Sequence, residues 1–592
     1  MKRIFWHFAA CISLLIGACT PKPEEADLVL LYTTDLHGAM LSWDINQNAP
    51  AKTSLAQVAT YVKQERLSDA ERVILLDAGD FLQGQPSVYY YNYIATHSEH
   101  LAAKVFNDLQ YDAIAVGNHE IETGEEVYNG RLRRQFDMPW LAANAIDVRT
   151  GQPMFTPYTT FKKKGLKIAV LGMITPKIDA WLPKSLWPNL EFQDMVECAQ
   201  TWIPIIKENE NPDLLIGLFH AGVDYTVNGD DMDSYCNENG TVPAAVKVPG
   251  FDLCLAGHDH ALNILNVANV SGDSVLIIDA QTQARYIGRV DIHFSRQEDG
   301  GYKKVMKPQM VAMADFGPDT DFDSATLPYV QATNRFVDEP VGELTDSIFC
   351  EDAMFGPSAF MDLIHEAQLW ASRSDVSFAS VLSRTAVVEK GPISMRHLFT
   401  LYKYENLLFK VNMTADEIRQ YLEFGYNRQF NTMTSANDHL LNFDFDEDGQ
   451  IQYNGYGPKL KTFSFNFTSA AGVRYTVDVS KPEGQRVKIL SLSNGEPIDP
   501  QKLYSVAINS YQYSGGGQFI PEGLGWNDSI LESRTIITKN IDVRRHIADY
   551  IQRHTPITPA LRGDWQVIPT EWWEKGKQRD SIILNQTRKH GS

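Results

Sequence analysis

The sequence predicts an α/β protein of more than one domain, and three observations support this prediction. The chain has 592 residues, which exceeds what one hydrophobic core usually supports. Hydrophobic residues make up 44% and charged residues 21%, the balance of a soluble globular protein rather than a disordered or many-spanning membrane chain. Between residues 27 and 315, short apolar runs alternate with helical stretches, which is typical of buried strands covered by helices.

The chain is strongly acidic, with a formal net charge of -21 and a pI near 5.2. A negative field of this size repels polyanions, so we expect no binding of long nucleic acid or acidic lipid surfaces. Small anions are not excluded, because a metal ion or a few arginines can reverse the potential inside one cleft. No protein partner can be inferred from the composition.

The N-terminus has the features of an export signal. Two basic residues precede an apolar stretch that ends at Ala18 and is shorter than the roughly 20 residues a spanning helix needs. Small residues directly before Cys19 resemble a bacterial lipobox, and an ordinary cleaved signal is the alternative. We therefore predict a signal peptide at 1–18, a lipid anchor and tether at 19–26, and a cell-envelope lipoprotein that faces the periplasm or the cell surface. Membrane contact would be through this anchor only.

Few cysteines follow the predicted anchor, and none forms a CxxC pair. Four scattered cysteines do not make a disulfide framework or a zinc ribbon, although an oxidising envelope would permit a bridge between two of them. The four are Cys198, Cys236, Cys254 and Cys350, and the permitted bridge joins Cys236 to Cys254.

Five apolar runs of the first half end in polar clusters. In open α/β sheets ligands bind beyond the carboxyl ends of the strands, so five such clusters can converge on one site. One cluster alone is more often turn chemistry, but five in one domain, all with oxygen or nitrogen donors and a nearby glycine, indicate a functional site. The clusters are Thr34-Asp35-Leu36-His37-Gly38, Asp77-Ala78-Gly79-Asp80, Gly117-Asn118-His119-Glu120, Phe219-His220-Ala221-Gly222 and Gly257-His258-Asp259-His260.

This ordered set resembles the calcineurin-like metallophosphoesterase family, whose signature is DxH, GD, GNH(E), H and GHxH. The resemblance covers residues 27–315 and implies a sandwich fold with two divalent metal ions, among which zinc, manganese, iron and cobalt are not distinguished. Two cations need a bridging carboxylate, neutral imidazoles and an open face for substrate. By resemblance, one metal is held by Asp35, His37, Asp80 and His260, and the other by Asp80, Asn118, His220 and His258.

Two further residues are expected to serve proton transfer. By resemblance, His119 points at the leaving oxygen as its proton donor, a role worth about 10² to 10⁴ in rate. Related 5′-nucleotidases have an Asp three residues later that orients this His, and the present chain has Glu122 there. Either Glu122 does the same work with a longer arm, or the dyad is absent.

The second half resembles the C-terminal nucleotide-binding domain of bacterial nucleotidases. We expect a linker and connecting helix at 316–345, an α/β nucleotide-binding domain at 346–570 and a tail of no derivable function at 571–592. The resemblance assigns Tyr404 and Tyr511 to stacking on the base, Asn406 to a base-edge contact, and Arg384 to phosphate or ribose. The alternative for the two tyrosines is that they pack in a core. The alternative for Arg384 is an ordinary surface arginine, because the family's usual glycine pair is missing beside it.

The second-half motifs resemble those of bifunctional 2′,3′-cyclic-nucleotide 2′-phosphodiesterase/3′-nucleotidases. That resemblance implies a small-molecule nucleotide substrate, opening of the cyclic phosphate to a 3′-nucleotide, and hydrolysis of this product to nucleoside and phosphate. A 5′-nucleotidase or nucleotide-sugar hydrolase is an alternative within the same chemistry. A nucleotide-binding lipoprotein without turnover is an alternative of another class. The motifs are Tyr402-Lys403-Tyr404-Glu405-Asn406-Leu407-Leu408, Tyr421-Leu422-Glu423 and Val477 to Arg486.

Overall fold

A computed structural model describes residues 22–454 and 457–586 as a mixed α/β protein. The predicted signal peptide, Cys19 and the start of the tether lie outside the described residues. Within the described ranges, no helix combines the length and apolarity required to cross a bilayer. The four cysteines predicted to lack a disulfide framework are all free thiols.

The N-terminal domain contains two six-stranded sheets with parallel centres; the first sheet is antiparallel at one edge and the second at both. Side chains alternate along each strand, so Leu28 and Leu30 pack between the sheets while Val29 and Leu31 pack on the outer face. The first sheet has the strand order Tyr302–Ala312, Tyr286–Arg296, Glu25–Thr33, Val73–Asp77, Ala113–Ala115, Trp140–Leu141. The second has the order Leu262–Ala268, Ser274–Ala280, Leu253–Ala256, Leu214–His220, Leu166–Ile174, Tyr158–Lys163.

Helices cover the outer faces of both sheets, which makes the predicted sandwich. Side-chain caps fix where several of them begin: Ser54 accepts a hydrogen bond from the backbone of Ala56, and Asp194 accepts from Val196 and Glu197. The longer helices of this domain are Leu55–Asp69, Leu101–Leu109, Met195–Glu210 and Thr241–Lys247.

All five apolar runs predicted as strands are strands, and their carboxyl ends meet at one edge of the sandwich. Other interior strands were not predicted, among them Leu166–Ile174, which pairs in parallel with Leu214–His220, and Ser274–Ala280, which pairs in parallel with Leu253–Ala256. The loop after Leu166–Ile174 reaches the same edge, because parallel neighbours end on the same side.

The C-terminal domain is built on a five-stranded sheet that packs against helices on its faces. A three-stranded sheet lies beside it. The first sheet has the order Thr468–Ala471, Val376–Ser380, Leu503–Asn509, Leu407–Thr414, Thr535–Asp542, and the second has the order Val487–Leu492, Val473–Asp478, Trp565–Ile568. The helices include Ala359–Ser372, Met395–Leu401, Ala415–Gln429 and Val543–His554.

The structure shifts the expected boundary at the start of this domain. The connecting helix is Thr320–Val337, within the stretch expected to hold it, and the Asp319 side chain caps its start. Strand Pro340–Leu344 then pairs with strand Gly391–Ser394, so the second domain begins inside the stretch expected to be a linker. Sequence composition could not reveal this, since a five-residue strand is defined only by its distant partner.

The segment expected to be a tail is, through residue 586, the helix Thr570–Gln586 packed on the C-terminal domain. The fully buried carboxylate of Asp580 accepts hydrogen bonds from the backbone of Leu440 at 2.7 Å and Leu441 at 2.8 Å, and from His439 at 2.6 Å. The indole of Trp573 donates to the Phe355 carbonyl at 2.7 Å. These contacts make the helix part of the domain.

The two domains are in direct contact next to the edge where the strands end. The Tyr89 hydroxyl donates to Asp542 at 2.7 Å. The guanidinium of Arg544 lies 5.1 Å from the Tyr89 ring centroid and 4.0 Å from that of Phe399. This contact brings the C-terminal domain over the polar clusters of the sandwich.

Candidate metal centre and substrate cleft

The seven side chains predicted as metal ligands lie in one cluster, which we call the donor cluster. Asp35, His37 and His260 form one group of possible ligand atoms, and Asp80, His220 and His258 form another, each group within 4.8 Å. A third group within the same limit contains His37 and Asp80 and so joins the other two. Asn118 completes the cluster, with its amide oxygen 3.0 Å from His220 Nε2.

The imidazoles are oriented by acceptors outside the cluster. His220 Nδ1 lies 2.9 Å from the Ala78 carbonyl, which can only accept, so Nδ1 carries a proton and Nε2, 3.1 Å from Asp80, is the nitrogen that can bind a metal once its own proton leaves. His258 Nε2 likewise faces Glu238 at 3.1 Å, which leaves Nδ1 for a metal. Such partners fix the tautomer of a metal-binding histidine and raise its basicity.

The backbone of the donor cluster is strained. Five of its residues have φ between 45° and 83°, a region that costs a residue other than glycine about 1–3 kcal/mol. Such strain persists only where surrounding structure imposes it, and it occurs most often at functional sites. The five are Asp35, His37, Asp80, His258 and His260.

Glycines in the motifs allow the loops to approach each other. A β-carbon at Gly117 would collide with the Asp80 carboxylate, and one at Gly257 would collide with the Thr34 hydroxyl and approach the Asp35 carboxylate. The glycines beside the donors are therefore required by packing as well as by turn geometry.

One buried carboxylate holds the two central loops together. Glu120 accepts hydrogen bonds from the backbone of Asp80 at 2.8 Å, Phe81 at 2.8 Å, Leu82 at 3.1 Å and Gly117 at 2.7 Å. Burial, together with the charge of Asp80, raises the pKa of Glu120 to about 7. The four donors satisfy this side chain, so it orients the Asp80 loop without binding a metal itself.

The electrostatics of the cluster favour ionised carboxylates. Burial opposes ionisation of Asp80, but the imidazoles of His220 and His119 outweigh it and hold the pKa of that carboxyl well below its usual range. Burial and the charge of His119 lower the pKa of His37 to about 4. Burial opposes protonation of His220, yet the Asp80 carboxylate raises its pKa to about 9, so metal binding there would release a proton.

His119 and Glu122 form the dyad that the sequence reading left open. Glu122 lies 2.5 Å from His119 Nδ1, and His119 Nε2 lies 3.8 Å from Asp80. Burial opposes protonation of His119, but Asp80 and Glu122 outweigh it and raise its pKa to about 10. His119 is therefore a charged donor beside the cluster, oriented by a carboxylate.

Tyr404 and Tyr511, which we call the tyrosine clamp, lie on the C-terminal domain with Phe465 between them. The ring centroid of Phe465 is 6.4 Å from that of Tyr404 and 6.0 Å from that of Tyr511, and its plane is nearly perpendicular to both. A β-carbon at Gly516 would collide with the Tyr511 ring, so this position must be glycine for the ring to lie where it does.

The other two residues predicted to contact substrate are Asn406 and Arg384. The Asn406 amide is buried and donates to the Tyr402 hydroxyl at 3.3 Å, so this contact directs it inward rather than toward a base. Arg384 lies in the loop after strand Val376–Ser380, half-buried. Partial burial and the charge of Arg384 lower the pKa of Lys403, the residue before Tyr404.

Sequence reasoning missed Trp181 and Glu238. Trp181 lies in the segment after strand Leu166–Ile174. Its ring centroid is 6.0 Å from that of His258 and 6.2 Å from that of Tyr511. It therefore joins the donor cluster to the clamp across the domain boundary. The strongly apolar sequence of Leu166–Ile174 could have revealed that strand, and with it the segment after the strand that carries Trp181. Nothing in the sequence singles out Glu238.

Comparison with known families supports this division of the chain. Residues 28–262 match the calcineurin-like phosphoesterase family, and residues 340–522 match the 5′-nucleotidase C-terminal domain. The second match begins at the strand Pro340–Leu344, in agreement with the boundary in the structure.

Relatives match over nearly the whole chain. The trifunctional nucleotide phosphoesterase protein YfkN of Bacillus subtilis is 25% identical over 92% of this chain, which spans 39% of that protein. The 2′,3′-cyclic-nucleotide 2′-phosphodiesterase/3′-nucleotidase of Yersinia enterocolitica is 26% identical over 94% of this chain and 90% of its own length. The crystal structure of a putative 5′-nucleotidase from Staphylococcus aureus has the same fold, with a TM-score of 0.73 at 20% identity, over 92% of this chain and 100% of that one.

Residues 28–262 thus resemble calcineurin-like phosphoesterases, and residues 340–522 resemble the C-terminal domain of 5′-nucleotidases. The chain is a phosphoric ester hydrolase. Metallophosphoesterases of this kind use a divalent metal centre, and the donor cluster supplies the oxygen and nitrogen donors for one.

We predict that Glu238→Ala weakens divalent metal binding by about 10- to 100-fold, because His258 loses the partner that orients its ring. Titration of the metal-stripped full chain with zinc or manganese, in competition with a chelating dye, measures this change. Glu238→Gln retains an acceptor for His258 Nε2 and should lose less.

The control for this prediction is Glu191→Ala, which removes an exposed carboxylate of the same domain. It should bind metal as the unmodified chain does. Equal metal affinity in Glu238→Ala and Glu191→Ala would show that Glu238 does not orient His258.

Proposed function

We propose that the protein is a dinuclear-metal hydrolase that opens 2′,3′-cyclic nucleotides to 3′-nucleotides and hydrolyses these to nucleoside and phosphate. The single observation that carries the proposal is that Asp80 joins two groups of metal-type donors while the dyad of His119 and Glu122 lies at their edge. A binding protein without turnover has no use for a charged proton donor beside the donor cluster.

In this proposal Asp35, His37 and His260 hold one cation, His220, His258 and Asn118 hold the other, and Asp80 bridges them. When bound, two divalent cations lower the pKa of a water and neutralise charge on the phosphoryl group. The dyad then serves the opposite side of the phosphorus: Glu122 holds His119 Nδ1, and His119 Nε2 gives its proton to the departing ribose oxygen. The same dyad serves both hydrolytic steps if the clamp holds the nucleoside while the phosphorus faces the donor cluster, once for opening of the cyclic phosphate and once for release of phosphate.

The substrate assignment rests on the clamp and on the relatives. Tyr404 and Tyr511 would stack on the base, a contact worth about 1–3 kcal/mol that any base can make. Trp181 would pack between base and phosphate, because it contacts both His258 and Tyr511. The Yersinia relative is named for the cyclic-nucleotide and 3′-nucleotide activities, and the similarity covers both domains.

The experiment that tests this function compares 2′,3′-cyclic AMP, 3′-AMP and 5′-AMP as substrates. Phosphate release is measured after metal stripping and again after readdition of zinc, manganese, iron or cobalt. We expect activity with the first two nucleotides that disappears on stripping and returns with metal. Exclusive hydrolysis of 5′-AMP would instead establish the 5′-nucleotidase alternative, which uses the same donors.

We predict that His119→Asn lowers kcat for 3′-AMP by about 10² to 10⁴, with metal binding retained. The loss should be much smaller with p-nitrophenyl phosphate, because nitrophenolate leaves without a proton. Glu122→Gln should show a weaker form of the same pattern, since it orients the donor without transferring the proton.

The matched control is His293→Asn, which changes a half-exposed histidine paired with Asp27 on the neighbouring strand. It should leave both substrates unaffected. If His119→Asn releases phosphate from 3′-AMP at the unmodified rate, His119 is not the proton donor.

We predict that Gly516→Ala raises KM for nucleotides by about 5- to 100-fold, because the new methyl group displaces the Tyr511 ring. Hydrolysis of p-nitrophenyl phosphate, which has no base, should be unchanged. Gly317→Ala is the control, since no atom lies within 4 Å of the new methyl group there. An unaltered nucleotide KM in Gly516→Ala would argue against base stacking by Tyr511.

We also propose that the protein is exported and anchored through Cys19, with 1–18 removed. The basic residues, the apolar stretch and the small residues before Cys19 support this assignment. Labelling of the mature chain with palmitate, lost in Cys19→Ser, would test it.

A further inference from the structure

An exposed aromatic pair lies next to the tyrosine clamp. Phe463 is 66% exposed and stacks on Phe465 with centroids 5.1 Å apart and planes 9° from parallel. Phe465 is its only ring contact among the described residues, so the second face of the Phe463 ring is not covered by an aromatic side chain. We call Phe463 and Phe465 the aromatic step.

The aromatic step is continuous with the clamp. Phe465 contacts both Tyr404 and Tyr511 edge to face, so four rings lead from the clamp to the surface. Tyr404 is itself 40% exposed. A nucleoside held by the clamp would therefore have a second flat apolar surface within reach.

Two cations flank the step although the chain as a whole is acidic. Arg428 donates to the Thr462 hydroxyl at 3.2 Å and to the Gly517 carbonyl at 2.5 Å, between the loops that carry Phe463 and Tyr511. Lys461 is exposed, two residues before Phe463. Aromatic rings beside cations are the combination that binds a single strand through its bases and its phosphate backbone.

We propose that the aromatic step binds a second base, so that the enzyme accepts substrates longer than a mononucleotide. The substrate class is a short oligonucleotide that ends in a 2′,3′-cyclic or 3′-phosphate, because it presents a second base linked through phosphate to the nucleoside in the clamp. The net charge of -21 limits this to short substrates, because a long polyanion would be repelled beyond the two local cations. This proposal rests on the proposed function, which supplies the hydrolytic step unchanged.

The test compares kcat/KM for 2′,3′-cyclic AMP and for an adenylyl dinucleotide with a terminal 2′,3′-cyclic phosphate. We expect the unmodified chain to prefer the two-base substrate by about fivefold or more, the lower end of what one stacked base contributes. Phe463→Ala should abolish that preference and leave kcat/KM for 2′,3′-cyclic AMP within about twofold.

The matched control is Phe445→Ala, which removes a 45% exposed aromatic ring without ring contact to the step or the clamp among the described residues. It should retain the preference. Equal kcat/KM for one-base and two-base substrates in the unmodified chain, or an intact preference in Phe463→Ala, would overturn the proposal and leave the step available to another kind of partner.

A second measurement separates this proposal from the proposed function. A dinucleoside monophosphate with 2-aminopurine as its 5′ base has no terminal phosphate to release, and its fluorescence should be quenched on binding to the unmodified chain and not to Phe463→Ala. If no nucleotide is hydrolysed, the proposed function fails while this quenching still supports the step. If nucleotides are hydrolysed but no Phe463-dependent quenching occurs, the step fails while the proposed function stands.

Discussion

The carboxylate of Asp80 lies between two groups of imidazoles, and the structure around it holds this one charge in place. A buried carboxylate without partners would cost several kcal/mol, so the fold must supply donors on every side. His220 Nε2 lies 3.1 Å away, and the backbone of His119 donates at 2.9 Å. Glu120 then fixes the loop from the other side through the backbone of Asp80 itself. The need to bring these groups together explains the strained backbone and the close glycines.

The same constraint organises the domain interface. Groups of three or more metal-type donors occur only on the sandwich among the described residues, whereas the tyrosine clamp lies on the C-terminal domain. Trp181 contacts a member of each set, His258 and Tyr511, and so joins the donor cluster to the clamp. A hydrogen bond between Tyr89 and Asp542 also joins the two domains. The donor cluster and the clamp are therefore separate in sequence and brought together by the contact between the domains.

The sequence reading failed where an element is defined by a distant partner. The strand Pro340–Leu344 is too short to show a pattern, and its pairing with Gly391–Ser394 makes it part of the second domain. The helix Thr570–Gln586 is rich in charge and looks like a tail, but Asp580 is buried against Leu440 and Leu441. In both cases the deciding contact crosses more than forty residues of chain, which no local window contains.

Five strands of the sandwich and the donors at their ends could be predicted from the sequence, because apolar runs and the chemistry of Asp, Asn and His are local properties. The spacing by which Glu122 reaches His119 one helical turn away is local as well. The packing of two sheets and two domains places the seven donors in one cluster, Glu238 beside His258 and Asn406 against Tyr402. A residue's type fixes what it can bind, while its neighbours in space fix what it does bind.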